Sequence, residues 1–75
     1  MPKLRRVSGQ EAVRALERLG FEKVRQRDSH VILKKQTPEG IIGCVVPLHH
    51  ELAIGTLRGI LKQAKVKPDE FMEHL

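Results

Sequence analysis

The residue in this chain best suited to chemistry on a phosphodiester is His30. It follows Asp28-Ser29, a two-residue turn predicted between strand-like runs at residues 21–27 and 30–35. Lys23, Arg25, Arg27, Lys34 and Lys35 lie on the same two runs. An imidazole with an ordinary pKa of about 6.5 takes or gives a proton at neutral pH. RNA needs such a group, either to activate its 2′-hydroxyl against the adjacent phosphate or to protonate the leaving oxygen. Cations beside it stabilise charge on the phosphate, so this route requires no metal or cofactor. DNA lacks the 2′-hydroxyl, so the chemistry points to RNA. Spacing and charge alone leave the simpler reading open, that His30 is a solvated turn residue.

The other polar groups are weaker candidates. His49-His50 with Glu51 has the composition of a metal cluster, but adjacent side chains diverge in regular structure. No further His or Cys lies at ligand spacing. These are read as loop residues after the third strand. Gly55-Thr56 matches a helix start, Ser29 lacks a base and an acid at suitable spacing, and His74 lies near the end of the chain. Cys44 is a lone cysteine within an apolar run, which excludes a disulfide framework and reads as core.

A hairpin closed by Asp28-Ser29 has a definite register. Arg27 opposes His30, Gln26 opposes Val31, Arg25 opposes Ile32, Val24 opposes Leu33, Lys23 opposes Lys34 and Glu22 opposes Lys35. One face is then largely apolar and suited to helices. The other is cationic and carries Lys23, Arg25, Arg27, Lys34 and His30 as a nucleic-acid surface. Phe21 falls on the cationic face unless a bend near Gly20 turns it inward. Like charges directly opposite one another destabilise a hairpin, so keeping them favours an anionic ligand. Opposed Cβ atoms lie about 5 Å apart, which lets Arg27 share a phosphate with His30. Lys34 is roughly 13 Å farther along the strand and reaches a neighbouring phosphate.

The remaining elements position this hairpin. Ser8 and Glu11 form an S-x-x-E capping box that opens the first helix. Ala12, Val13, Leu16 and Leu19 form its apolar stripe, and Gly20 stops it. Thr37-Pro38-Glu39-Gly40 is a turn. Residues 41–46 are a nearly all-apolar third strand, ended by Pro47. The second helix covers residues 55–64, with Leu57, Ile60, Leu61 and Ala64 inward and Arg58, Lys62 and Lys65 as a basic ridge. A short last helix starts at Pro68, with Asp69 and Glu70 complementing its dipole. The order is α-β-β-β-α plus a C-terminal helix.

Composition fits this reading. A chain of 75 residues, 40% hydrophobic and 31% charged, is expected to be a single globular domain over residues 1–75. It is too small for a large enclosed pocket, so its site is expected to be an open surface. The net charge is +5, distributed as +6 over residues 1–35 and −1 over residues 36–75. Such a basic half is an electrostatic footprint for a polyanion. No apolar run approaches the ~20 residues of a membrane span, and no signal-type core is present, so a cytoplasmic location without membrane contact is expected.

Several short motifs together resemble the HicA-type (YcfA-like) mRNA interferase toxins of type II toxin–antitoxin systems. They are Leu19-Gly20-Phe21, Arg25-Gln26 with Ser29-His30, Val46-Pro47 with His49, and the run from Gly55-Thr56-Leu57-Arg58-Gly59 to Ala64. The resemblance spans most of the chain. It implies an α+β fold like a double-stranded-RNA-binding domain, with helices on one face of a three-stranded antiparallel sheet. It also implies ribosome-independent endonuclease cleavage of RNA, a catalytic histidine at His30, and a HicB-type antitoxin that covers the site. The chain alone is expected to be a monomer, and a hetero-oligomer with the antitoxin. The family pattern has Gly-Ser-His where this chain has Asp28-Ser29-His30, and often a polar residue where Val31 stands. Two other readings stay open: a non-catalytic RNA-binding module, and an interaction subunit of a repressor complex.

Overall fold

The computed structural model describes residues 4–75. The first helix, α1 (Gly9–Arg18), starts at Ser8 through both arms of the capping box. The Ser8 N–H donates to Glu11 Oε1 at 2.9 Å, and the Glu11 N–H donates to Ser8 Oγ at 3.0 Å. It ends as the sequence predicts, with Gly20 at φ +101°. There the Gly20 N–H donates to the Glu17 carbonyl and the Phe21 N–H to that of Leu16, both at 3.0 Å. This C-terminal motif satisfies two otherwise free carbonyls and turns Phe21 onto Leu16.

Three antiparallel strands follow in spatial order β1 (Glu22–Arg27), β2 (His30–Thr37) and β3 (Gly40–Pro47). The turn between β2 and β3 is held by Thr37, whose Oγ1 donates to the Gly40 carbonyl at 2.8 Å and accepts from the Glu39 N–H at 3.2 Å. Then come α2 (Ile54–Ala64) and α3 (Pro68–Glu73). The fold is α+β with the predicted element order. Pro68 sits in the first turn of α3, where a missing N–H costs nothing. The end of α2 departs from the common pattern, because Lys65, not glycine, takes the left-handed conformation at φ 56°. The Val66 N–H then reaches the Leu61 carbonyl at 3.0 Å, and Val66 is carried into the core.

Burial alternates along the central strand and shows which face the helices cover. Val31 and Leu33 are buried while His30, Lys34 and Gln36 are exposed. On β3, Cys44 and Val46 are buried while Ile41 and Val45 point outward. The core between the inner sheet face and the helices includes Leu16, Phe21, Leu33, Leu52, Leu57, Leu61 and Phe71. Both phenylalanines of the chain are in it, so aliphatic side chains fill the rest. Arg18 Nη1 donates to the His74 carbonyl at 2.7 Å and ties the C-terminal residues to α1. Among the described residues no helix is long and apolar enough to cross a membrane.

The register of the β1–β2 hairpin corrects the predicted one over half its length. Arg27, Gln26 and Arg25 pair with His30, Val31 and Ile32 as expected, but a β-bulge at Val24 shifts the rest. Lys23 lies opposite Leu33, not Lys34, and Glu22 lies opposite Lys34, not Lys35. Val24, expected to face Leu33 on the apolar side, is the extra residue and is 49% exposed. The physical reason is Phe21. Strict alternation would place it outward, whereas the one-residue shift turns it into the core at 4% exposure. Burying a phenylalanine stabilises by about 1.5–3 kcal/mol and outweighs the half-exposed valine. The shift also replaces the like-charge pair Lys23–Lys34 with Glu22–Lys34, an opposite-charge cross-strand pair.

Candidate nucleic-acid interface

His30 is the first residue of β2 and lies on the outer sheet face, exposed, between Arg27 of β1 and Pro47 of β3. It therefore ends a cross-strand row Arg27–His30–Pro47. The next outward row is Arg25–Ile32–Val45, and the one beyond is Glu22–Lys34–Gly43. Outward rows lie roughly 6.6 Å apart along a strand, two residues at a time. Arg27 is thus the cation nearest His30, Arg25 lies one row away, and Lys34 lies two rows away beside Glu22. Three of the four predicted basic contacts share the face of His30. Lys23 does not, because the bulge sends it to the side that carries Leu33 and Val31.

The turn that presents His30 is Asp28-Ser29. Asp28 has φ 54°, a conformation open to glycine and tolerated less well by Asp. It is the first position of a two-residue hairpin loop, where a positive φ lets the strand twist continue through the turn. Gln26 Nε2 donates to the Asp28 carbonyl at 3.4 Å. The Leu48 N–H donates to the Ser29 carbonyl at 2.6 Å, anchoring the turn to the segment after β3. That segment is held in turn by α1, whose Gly9 N–H donates to the His49 carbonyl at 2.8 Å.

A family model for the HicA toxin of bacterial toxin–antitoxin systems matches residues 9–66, from the start of α1 to just past α2. The chain belongs to the HicA toxin family. None of the curated proteins matches it. As a HicA-family toxin the chain pairs with an antitoxin.

The matched span includes the whole hairpin with His30. Within it Asp28, next to Ser29-His30, takes the left-handed turn conformation. His49 and His50 lie in the loop after β3 and, with Ser8, Gln10 and Leu48, line a shallow hollow of about 230 Å³. Among the described residues no group of three His, Cys, Asp or Glu side chains converges to hold a metal ion. Cys44 is buried under the sheet, and burial pushes its thiol up to about 11.

One feature of the outer face was not legible in the sequence. The third strand reads as a nearly all-apolar run in which only Cys44 is assigned to the core, yet Ile41 is 65% and Val45 42% exposed. Val45 sits directly opposite Ile32, so an apolar strip lies beside the cations of β1. The outer face is therefore two-sided, basic toward the β1 edge and aliphatic toward the β3 edge.

Proposed function

We propose that this toxin is a metal-independent endoribonuclease that cuts mRNA, with His30 as general acid or general base. The observation that carries the reading is the row Arg27–His30 at the open end of the outer sheet face. It pairs a proton-transfer group with a cation at about 5 Å, the distance needed to share one phosphate. In the base role, His30 takes the 2′-hydroxyl proton as that oxygen attacks phosphorus. The P–O5′ bond breaks, leaving a 2′,3′-cyclic phosphate and a 5′-oxygen that must gain a proton. In the acid role, an imidazolium at His30 gives that proton. Arg27 offsets the charge that builds on the phosphate oxygens, and Arg25 and Lys34 hold neighbouring phosphates. The aliphatic strip and the basic rim together suit a protein partner with apolar and acidic groups, in keeping with a HicB-type antitoxin that covers His30. Messenger RNA as substrate places the toxin in the cytoplasm.

The test is induced expression of the wild type and His30→Ala, with growth and RNA integrity followed together. His30 is exposed, so the substitution leaves the core intact, and circular dichroism checks that it does. Wild type is expected to arrest growth and degrade RNA. His30→Ala is expected to do neither while still binding RNA, since loss of a general acid or base costs about 10²–10⁴ in rate. An equally toxic His30→Ala protein would overturn the catalytic role. A wild type that binds RNA without cutting it would establish a binding module instead.

A further inference from the structure

The strand β1 buries none of its residues, although it belongs to a three-stranded sheet in a small protein. Its inward-facing positions are polar: Lys23 opposes the buried Leu33, and Gln26 opposes the buried Val31. The helices pack over β2 and β3 and leave a groove beside α1 of about 240 Å³. Gln10, Arg14 and Glu17 line it from successive turns of α1, and Lys23 and Gln26 line it from β1. Val13, Val31 and Leu48 supply an apolar lining.

We propose that this groove is a nucleobase subsite for single-stranded RNA, occupied by a base next to the phosphodiester held at His30. The inference rests on the endoribonuclease reading and adds to it where the strand goes. The Gln26–Val31 pair is the immediate ladder neighbour of Arg27–His30, about 3.3 Å along the strand. The two pairs face opposite sides of the sheet, so an RNA strand that bends round the end of the hairpin meets His30 outside and Gln26 inside. The hydrogen bond from Gln26 Nε2 to the Asp28 carbonyl keeps that amide beside the turn.

The chemistry of the lining fits one unpaired base and its phosphate. A carboxamide offers a donor and an acceptor side by side, which matches the edge of a base. Gln10 and Gln26 approach from opposite walls. Arg14 and Lys23 carry the charge for a flanking phosphate, and Glu17 accepts only. The groove holds no aromatic ring, so the base is read by hydrogen bonds at its edge with aliphatic contact to its faces. Single-stranded RNA is recognised through such splayed-out bases. The bulge at Val24 is what builds the subsite, because without it Lys23 would point to the other face. Bulges are common next to active sites, where they re-aim a side chain.

Two measurements test this. The first maps every cut made by wild type, Gln10→Ala and Gln26→Ala in a single-stranded RNA of mixed sequence. Each variant is expected to lose base preference at one fixed position from the cut and about tenfold in kcat/KM on the preferred site. An unchanged cut pattern and unchanged kcat/KM would overturn the subsite while leaving the endoribonuclease reading standing. The second adds an uncleaved single-stranded RNA oligonucleotide to the His30→Ala protein and follows side-chain amide resonances by NMR. Shifts at Gln10 and Gln26 are expected. Shifts confined to the outer face would overturn the subsite, and no binding at all would overturn both readings together.

Discussion

The Leu48 N–H donates to the Ser29 carbonyl at 2.6 Å, so the segment after β3 sets the position of the turn before His30. Gly9, at the start of α1, holds the same segment through the His49 carbonyl. A Cβ at Gly9 would lie 2.7 Å from Leu48 Cα and 2.9 Å from the Pro47 carbonyl carbon, closer than real atoms approach. These are backbone atoms and cannot rotate away. The site is therefore held from α1 through one tight backbone contact.

Gly9→Ala is expected to lower stability by about 1–3 kcal/mol, the usual cost of overpacking, and to reduce RNA cleavage in the protein that remains folded. Gly59→Ala is the matched contrast. A Cβ there meets nothing, and alanine gains up to about 1 kcal/mol in a helix interior. Urea unfolding of the two variants should move in opposite directions. A stable Gly9→Ala protein would show that the backbone contact is looser than the geometry implies.

A second expectation concerns Asp28, whose φ of 54° is the strained feature of the hairpin. A β-branched residue in the left-handed region costs roughly 1–2 kcal/mol. Asp28→Val should lose about that much stability and impair cleavage, because the turn would rearrange and re-aim His30. Asp28→Gly relieves strain but gives the unfolded chain more freedom, so its net change should stay within about 1 kcal/mol. Its activity should equal or exceed that of wild type. If Asp28→Gly were inactive, the Asp28 side chain would have a role beyond shaping the turn.

How far the sequence revealed this site follows from which signals were local. The capping box, the Gly20 stop and the α2 stripe are short-range patterns, and each appears where it was read. The pairs from Arg25 to Arg27 were also legible, because they lie within a few residues of the turn that sets them. Beyond them the register depends on whether Phe21 or Val24 is buried. That is a tertiary competition which alternation along one strand does not express. The conflict was visible, since the unbulged register left Phe21 outside, but no residue between Glu22 and Arg25 marks a bulge. The exposed Ile41 and Val45 were hidden for a related reason. An apolar run does not say which of its faces is left uncovered.

The outer face should show its charge in the salt dependence of RNA binding. Each phosphate neutralised on a single strand contributes about 0.7 to the slope of log K against log salt. Replacing Arg25, Arg27 and Lys34 together with glutamine should reduce the slope by about 2 on that basis. Lys35→Gln serves as the control. Its ammonium lies 5.8 Å from the centre of the Phe21 ring, off the outer face, and its loss should leave the slope unchanged. Equal effects from the triple variant and from Lys35→Gln would mean that binding follows net charge and not this face.

Cys44 provides a check on the core beneath the sheet. It is 3% exposed, and burial pushes its thiol up to about 11 from an ordinary 9.0. A thiol is nucleophilic as the thiolate. A thiol reagent at pH 8 should therefore leave the folded protein unlabelled and label it promptly in urea. The raised pKa also makes stability fall as pH rises from 9 toward 11, because the unfolded thiol ionises first. Rapid labelling of the folded protein at pH 8 would mean that the β2–β3 region opens readily.

Glu11 gives the acid side of the stability profile. Its carboxylate is held below the ordinary value of 4.5, chiefly by the hydrogen bond from the Ser8 N–H. A carboxyl with a depressed folded pKa stabilises fully above its unfolded pKa and loses that contribution as pH falls through the folded value. Glutamine at this position keeps an acceptor oxygen for the Ser8 N–H and cannot titrate. Wild type should therefore be more stable than Glu11→Gln at pH 7, and the difference should shrink as pH falls below 4.5. Melting temperatures of both proteins across that range decide it. A difference that stayed constant or widened in acid would mean that the capping box does not depend on the ionised carboxylate.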